Sequence, residues 1–217
     1  MSTRIALIHA TPVAIPPVME AFQHGWPEAE LVNLLDDALS RDLARAGALD
    51  EAMMKRFEVL GAYAMQIGAD AILFTCSAFG EAIEAVAKHA SIPVLKPNEA
   101  MFEEAIASER SVGLLTTFQP SAPSMEKEFV EMAAQQGSQV QCDTIWVPDA
   151  MAALASGDGA THDRLIAEAA PQLAHCDVIM LAQFSMARAQ AAVQQVVTPP
   201  ILTSPASAVG KLKAALS

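Results

Sequence analysis

Moved forward by 107 residues, this sequence falls on itself. Asp70 lands on Asp177, Ile72 on Ile179, Ala82 on Ala189, Ala85 on Ala192 and Val86 on Val193, while Pro93 lands on Pro200 and Leu95 on Leu202. The same frame puts Leu7 on Leu114 and Ile8 on Leu115, with no gap inside either segment. Alanines coincide by chance, but a shared Asp, an Ile and a Pro-x-Leu in one frame, with a second strand agreeing, point to two equivalent halves. We read residues 1–100 as a first lobe and 101–204 as a second, related by a pseudo-twofold axis. The closing helix, 205–217, is free to pack back on the first.

Each half alternates short apolar runs with longer segments of helical periodicity. RIALIHA (4–10), ELVNLLD (30–36), AILFTC (71–76) and IPVLKP (92–97) read as strands of the first half. SVGLLTT (111–117), QVQCDTIWV (139–147), DVIMLAQ (177–183) and PPILTS (199–204) read as strands of the second. The segments between them space apolar residues at three and four, as in VAIPPVMEAFQHGW, DEAMMKRFEVLGAYAMQIG, GEAIEAVAKHA and SAPSMEKEFVEMAAQQG. Gly68 stops one helix, and Ser and Gly cap another. Continuous apolar runs suit strands buried on both faces, hence parallel sheets. Strand-helix-strand repetition gives an α/β class, with each lobe a short parallel sheet flanked by helices, a flavodoxin-like half.

Composition narrows the function classes. The chain is 53% hydrophobic, enough for one sizeable core or for two small lobes. Its formal net charge of −12 argues against a nucleic-acid partner and against an electrostatic membrane anchor. No apolar run approaches the ~20 residues that span a bilayer, and MSTRIALIHATP lacks the long apolar stretch and cleavage site of a signal peptide. Cys76, Cys142 and Cys176 follow no metal or disulfide spacing, so the expectation is a reducing cytoplasm and no metal. GDGATHD lacks the spacing of a phosphate loop. An anionic substrate would therefore be held by local dipoles rather than by bulk charge.

Ligands of open parallel sheets bind beyond the carboxyl ends of the strands. Two such lobes facing each other would line a cleft with His9 to Thr11, Thr75 to Ala78 and Lys96 from the first, and Thr116 to Gln119 and Gln183 to Ser185 from the second. Cys76 ends a buried strand on that side and precedes a helix, where free N–H groups and the helix dipole stabilise a thiolate. The same N–H groups, with the Thr75 and Ser77 hydroxyls, could hold a carboxylate. A thiolate beside a bound carboxylate suggests chemistry at the carbon next to it. A free cysteine is otherwise a small buried hydrophobe, the reading taken for Cys142 and Cys176. His9 would suit a general base near neutral pH or a loop-orienting role. His24, His89, His162 and His175 are expected at the surface or as caps, Lys96 as solvated. Asp36 and Asp37 point to opposite faces and so are not expected to share a proton.

ILFTCSAFG (72–80) resembles the first catalytic-cysteine segment of the aspartate/glutamate racemase superfamily, which includes hydantoin racemases, maleate isomerases and arylmalonate decarboxylases. The two-lobe repeat and VGLLTTFQPS (112–121) resemble it too. The resemblance implies cofactor-free catalysis on a small carboxylate, with Cys76 as the reactive thiol. Thr75, Ser77, Ala78, Thr116 and Thr117 would surround the carboxylate, while Gln183 and Ser185 shape the opposite wall. An isologous homodimer is common for such folds.

One departure matters. A two-thiol racemase of this family has a second cysteine in the second lobe, and the position 107 residues beyond Cys76 is Gln183. Gln exchanges no proton at neutral pH. The expected activity is racemase- or isomerase-type at the carbon α to a carboxylate, using one thiol, with His9 a candidate for the second proton. A single-thiol decarboxylase and a non-catalytic small-acid binder are the alternatives.

Overall fold

Two four-stranded parallel sheets organise the residues described by the computed structural model, 2–108 and 111–216. Met1 and Ser217, the outermost residues of the expected lobes, lie outside that range, as do Glu109 and Arg110. In the first sheet β1 (Arg4–His9), β2 (Glu30–Leu35), β3 (Ala71–Phe74) and β4 (Val94–Leu95) run in the order β2-β1-β3-β4. In the second, β5 (Val112–Thr116), β6 (Cys142–Trp146), β7 (Val178–Leu181) and β8 (Ile201–Thr203) repeat it as β6-β5-β7-β8. The central strands β1, β3, β5 and β7 are buried almost throughout, which is why they read as continuous apolar runs. The edge strands β2 and β6 are half exposed.

The helices are α1 (Ile15–Gly25), α2 (Leu39–Ala46), α3 (Glu51–Gln66), α4 (Gly80–His89), α5 (Glu99–Ala107), α6 (Ala122–Gln135), α7 (Ala150–Ala155), α8 (Gly159–Ala169), α9 (Gln190–Gln194) and α10 (Ser204–Leu216). None of the helices in the described residues is long and apolar enough to cross a membrane. The helix α2 was not expected from sequence: its apolar positions are few, and charged residues surround Leu39 and Leu43. Gly47, left-handed at φ 74°, ends it. Ser121 precedes α6 but makes no side-chain cap; its hydroxyl donates to the Phe118 carbonyl instead (2.8 Å).

Residues up to Glu99, together with those from Ala208 onward, form one compact unit, and Ala100–Ser207 form the other. In the first core Phe57 stacks against Phe74 and Phe79, ring centroids 5.4 and 4.8 Å away. Gly61 lets α3 press on α4, because a Cβ there would stand 2.5 Å from Val86 Cγ1. In the second core Phe102 meets Phe129 edge-on at 5.5 Å. The final turns of α10 belong to the first unit, where Lys211 pairs with Glu99 (2.6 Å) and Lys213 donates to the Gly25 carbonyl (2.8 Å).

The repeat seen in the sequence is carried by matched hydrogen bonds. Asp70 accepts from the Arg4 amide at the amino end of β1 (2.8 Å), and Asp177 accepts from the Ser111 amide just before β5 (3.1 Å). The Thr75 amide donates to the Ile8 carbonyl, as the Ala182 amide donates to that of Leu115. Ile72 and Ile179 donate to the carbonyls of Pro93 and Pro200. These bonds fix Cys76 and Gln183 at equivalent places, just past β3 and β7.

Candidate active site at the strand tips

Beyond β1 and β3, the first sheet ends in a buried polar chain. His9 is fully buried; its Nδ1 lies 2.8 Å from Thr75 Oγ1 and its Nε2 2.9 Å from Asn33 Oδ1. With the Asn33 oxygen as acceptor, Nε2 carries the ring proton and Nδ1 accepts from the Thr75 hydroxyl. Burial pushes the His9 pKa down from its ordinary 6.5, the Asn33 bond opposing the shift, so the ring is neutral at pH 7. Both ring nitrogens are engaged within this sheet. This geometry makes His9 a support for Thr75 rather than an exposed base.

Cys76 follows Thr75 in extended conformation (φ −131°, ψ 116°) and opens the 3-10 turn Ser77–Phe79 that leads into α4. It is half-buried, as is Ser77, whereas Ala78 is exposed. The Ala78 N–H, at the strand-to-helix turn, and the Ser40 hydroxyl, on α2, both favour the ionised sulfur. Burial nevertheless outweighs them and pushes the thiol up from its ordinary 9.0. The expectation of a resting thiolate is therefore reversed: at neutral pH Cys76 keeps its proton.

Sequence reasoning missed Ser40 because it missed α2. With the sulfur protonated, the Ser40 hydroxyl gives its one proton to the Ala10 carbonyl (2.9 Å), which holds it beside the end of β1; a thiolate would draw that proton to itself. The Ser40 helix is clamped by Arg56 of α3, which pairs with Asp36 at the tip of β2 (2.5 Å) and with Asp42 on α2 (2.6 Å). Asp36 and Asp37 form no acid pair: Asp37 faces Arg41 (3.7 Å). Lys96 is mostly buried rather than solvated, and its Nζ lies 3.2 Å from Glu84.

The second sheet ends differently. Gln183 Oε1 accepts from the Thr117 amide (2.9 Å) and the Thr117 hydroxyl (3.2 Å). Its Nε2 donates to Thr116 Oγ1 (2.8 Å) and to Ser121 Oγ (3.4 Å). Thr116 and Thr117 are buried. The carboxamide thus occupies the Thr117 donors that were expected to hold a substrate carboxylate, and is itself folded back instead of forming a wall. Ser185 is half-buried in the 3-10 turn Phe184–Ala189.

The remaining cysteines also have raised thiols. Burial pushes Cys142 up to about 12, and burial with Asp143 and Asp177 nearby raises Cys176. His24 and His89 are exposed, as expected. His162 is not: it is fully buried, with Nδ1 2.8 Å from Asp163. His175 pairs with Asp143 (2.8 Å).

The sequence model of the family described as Asp/Glu/Hydantoin racemase matches residues 6–212. No protein of curated function matches the chain. Among solved structures, allantoin racemase from Klebsiella pneumoniae is 18% identical, with a TM-score of 0.71 over 98% of this chain and 87% of that one. The aspartate racemase of Picrophilus torridus is 14% identical, with a TM-score of 0.73 over 98% and 95%. Glutamate racemase RacE1 of Bacillus anthracis is 14% identical, with a TM-score of 0.70 over 99% and 81%. At such identities the structures speak for the fold; the family match, which runs from β1 into α10, speaks for membership. This chain, with its twice-repeated parallel sheet, belongs to the Asp/Glu/hydantoin racemase family of racemase-type enzymes.

Proposed function

We propose that the protein moves a proton at the carbon α to the carboxylate of a small acid, with Cys76 as its one proton-exchanging group and no cofactor. The observation that carries this reading is the contrast at equivalent strand tips, a half-buried thiol after β3 and an internally bonded amide after β7. A thiol held protonated by burial is an acid first. It gives its S–H proton to the α-carbon of an enediolate, and the thiolate left behind is stabilised by the Ala78 N–H and the Ser40 hydroxyl. His9 acts as a positioning residue: through Thr75 it fixes the end of β3. Ser77 and the amides of its turn are the groups best suited to a carboxylate. As a racemase or isomerase, the thiolate form of the same sulfur first takes the α-proton, which leaves the enediolate and the S–H; the enediolate then turns its other face to the sulfur and the proton is returned there.

Gln183 favours a second reading. A group with no proton to exchange suits one-way protonation after loss of carbon dioxide. The electron pair released from the broken C–C bond is then quenched by the Cys76 proton, and the thiolate recovers a proton from water. The two readings separate in heavy water with a panel of small hydroxy, amino and malonate-type acids. Deuterium at the α-carbon without gas marks racemase or isomerase chemistry; carbon dioxide release marks the lyase. An acid that binds, raising the melting temperature, while the whole panel undergoes neither reaction would overturn the enzymatic reading in favour of a binder.

A further inference from the structure

Away from the strand tips, at the amino edge of the second sheet, three potential ligand atoms converge. His175 Nε2 lies 2.8 Å from Asp143 Oδ2 and 3.6 Å from Cys176 Sγ, and the three atoms all lie within 4.8 Å of one another. The topology makes this meeting non-trivial. Asp143 is on β6 and Cys176 lies two residues before β7, with β5 running between those strands. Asp143 is the register partner of Gly113 on β5. A Cβ on Gly113 would stand 2.9 Å from Leu173 Cδ1, so the missing side chain lets the 3-10 turn Ala170–Leu173 lie close over β5. His175, two residues on, thereby reaches across the strand to Asp143.

The three groups differ in depth. Cys176 is 4% exposed, while the His175 and Asp143 side chains are 60% and 63% exposed. The sulfur forms the floor and the other two the rim. Asp143 also lines a surface cavity of about 520 Å³ together with Ser111, Ser138 and Gln141.

A nucleophile relay would place the imidazole between thiol and carboxylate, one ring nitrogen to each. Here one nitrogen, Nε2, faces both, and a single N–H cannot bridge them in that way. An imidazole nitrogen, a carboxylate oxygen and a sulfur around one point instead match the mixed donor set of zinc-type cations. We infer that Asp143, His175 and Cys176 form a binding site for a divalent transition cation of zinc type, its remaining position open to water or a small ligand from the cavity. On binding, the Cys176 S–H proton passes to solvent and the sulfur electron pair forms the metal bond. His175 gives its Nε2 lone pair, with its ring proton on Nδ1. The low sequence signal is understandable: His175 and Cys176 are adjacent, and Asp143 lies 32 residues earlier on another strand.

Cobalt(II), a spectroscopic stand-in for zinc, tests this when titrated into the full chain. One cobalt per chain is expected, with a near-ultraviolet sulfur-to-cobalt charge-transfer band that zinc displaces. The band should persist in Cys76→Ala and Cys142→Ser and vanish in Cys176→Ser. Because Cys176 is buried and its replacement could disturb folding, His175→Ala, at an exposed position, is the second arm; it should weaken cobalt binding at least ~10-fold. A band that survives Cys176→Ser, an affinity indifferent to His175→Ala, or no band at millimolar cobalt would overturn the site.

Discussion

The two sheets share a strand order and matched hydrogen bonds, yet their tips have opposite chemical character. After β3, the buried partner of the central strand is His9, and it bonds to Thr75, one residue before Cys76. That arrangement spends the polar capacity of the tip on the backbone below the sulfur and leaves the thiol for other work. After β7, the equivalent of His9 is Thr116, and it bonds directly to Gln183, the equivalent of Cys76. There the end residue is itself consumed by the scaffold. A repeated backbone therefore fixes where chemistry can occur, and one side chain at each tip decides whether it does.

Replacing Cys76 with Ala should have the largest effect, lowering turnover by ~10³-fold or more, as expected for loss of the acid-base group; steady-state assays on the substrate found in heavy water measure it. Retained turnover would shift the chemistry away from the first tip. Gln183→Ala should do the reverse, sparing turnover to within about tenfold while costing ~1–3 kcal/mol in urea denaturation, because the buried Thr117 amide and Thr116 hydroxyl lose their partner. Unchanged stability would mean that the amide is not what holds the second tip.

His9 gives a pH test. Its folded pKa lies below the ordinary 6.5, so beneath that value the unfolded chain binds more protons and stability falls as pH falls; above it the contribution is complete. His9→Gln should flatten this part of the stability profile. The Cys76 thiol, shifted the other way, should react slowly with iodoacetamide at pH 7 and speed up as pH rises past 9.0. Ser40→Ala removes a donor that favours the ionised sulfur, and should slow labelling at pH 8 severalfold. A labelling plateau already reached at neutral pH would restore a resting thiolate.

Much of this was legible in the chain. The parallel sheets follow from unbroken apolar runs such as AILF and VIML, which only a doubly covered strand explains. The position of Cys76 follows from the same runs plus the helical pattern after Gly80. What escaped sequence reasoning depends on the third dimension. The helix α2 has only two leucines to mark it and is held by Arg56, a residue of another helix. The protonation state of Cys76 is a balance between burial and two donors, and burial cannot be read from spacing. His162 stands on a helix whose buried face was not resolved by pattern, so its complete burial was missed.

The last turns of α10 sit with the first hundred residues, where Val209 fills the space beside Gly25 and Lys213 binds its carbonyl. During vectorial synthesis the unit that emerges first must wait for residues made only after the whole of the second unit. Its closure spans the second unit, Ala100–Ser207, and such distant pairing slows folding. The end of α1 is thus made early but covered late, so a chain stalled before Ala208 would leave Gly25 without Val209 against it and its carbonyl without Lys213.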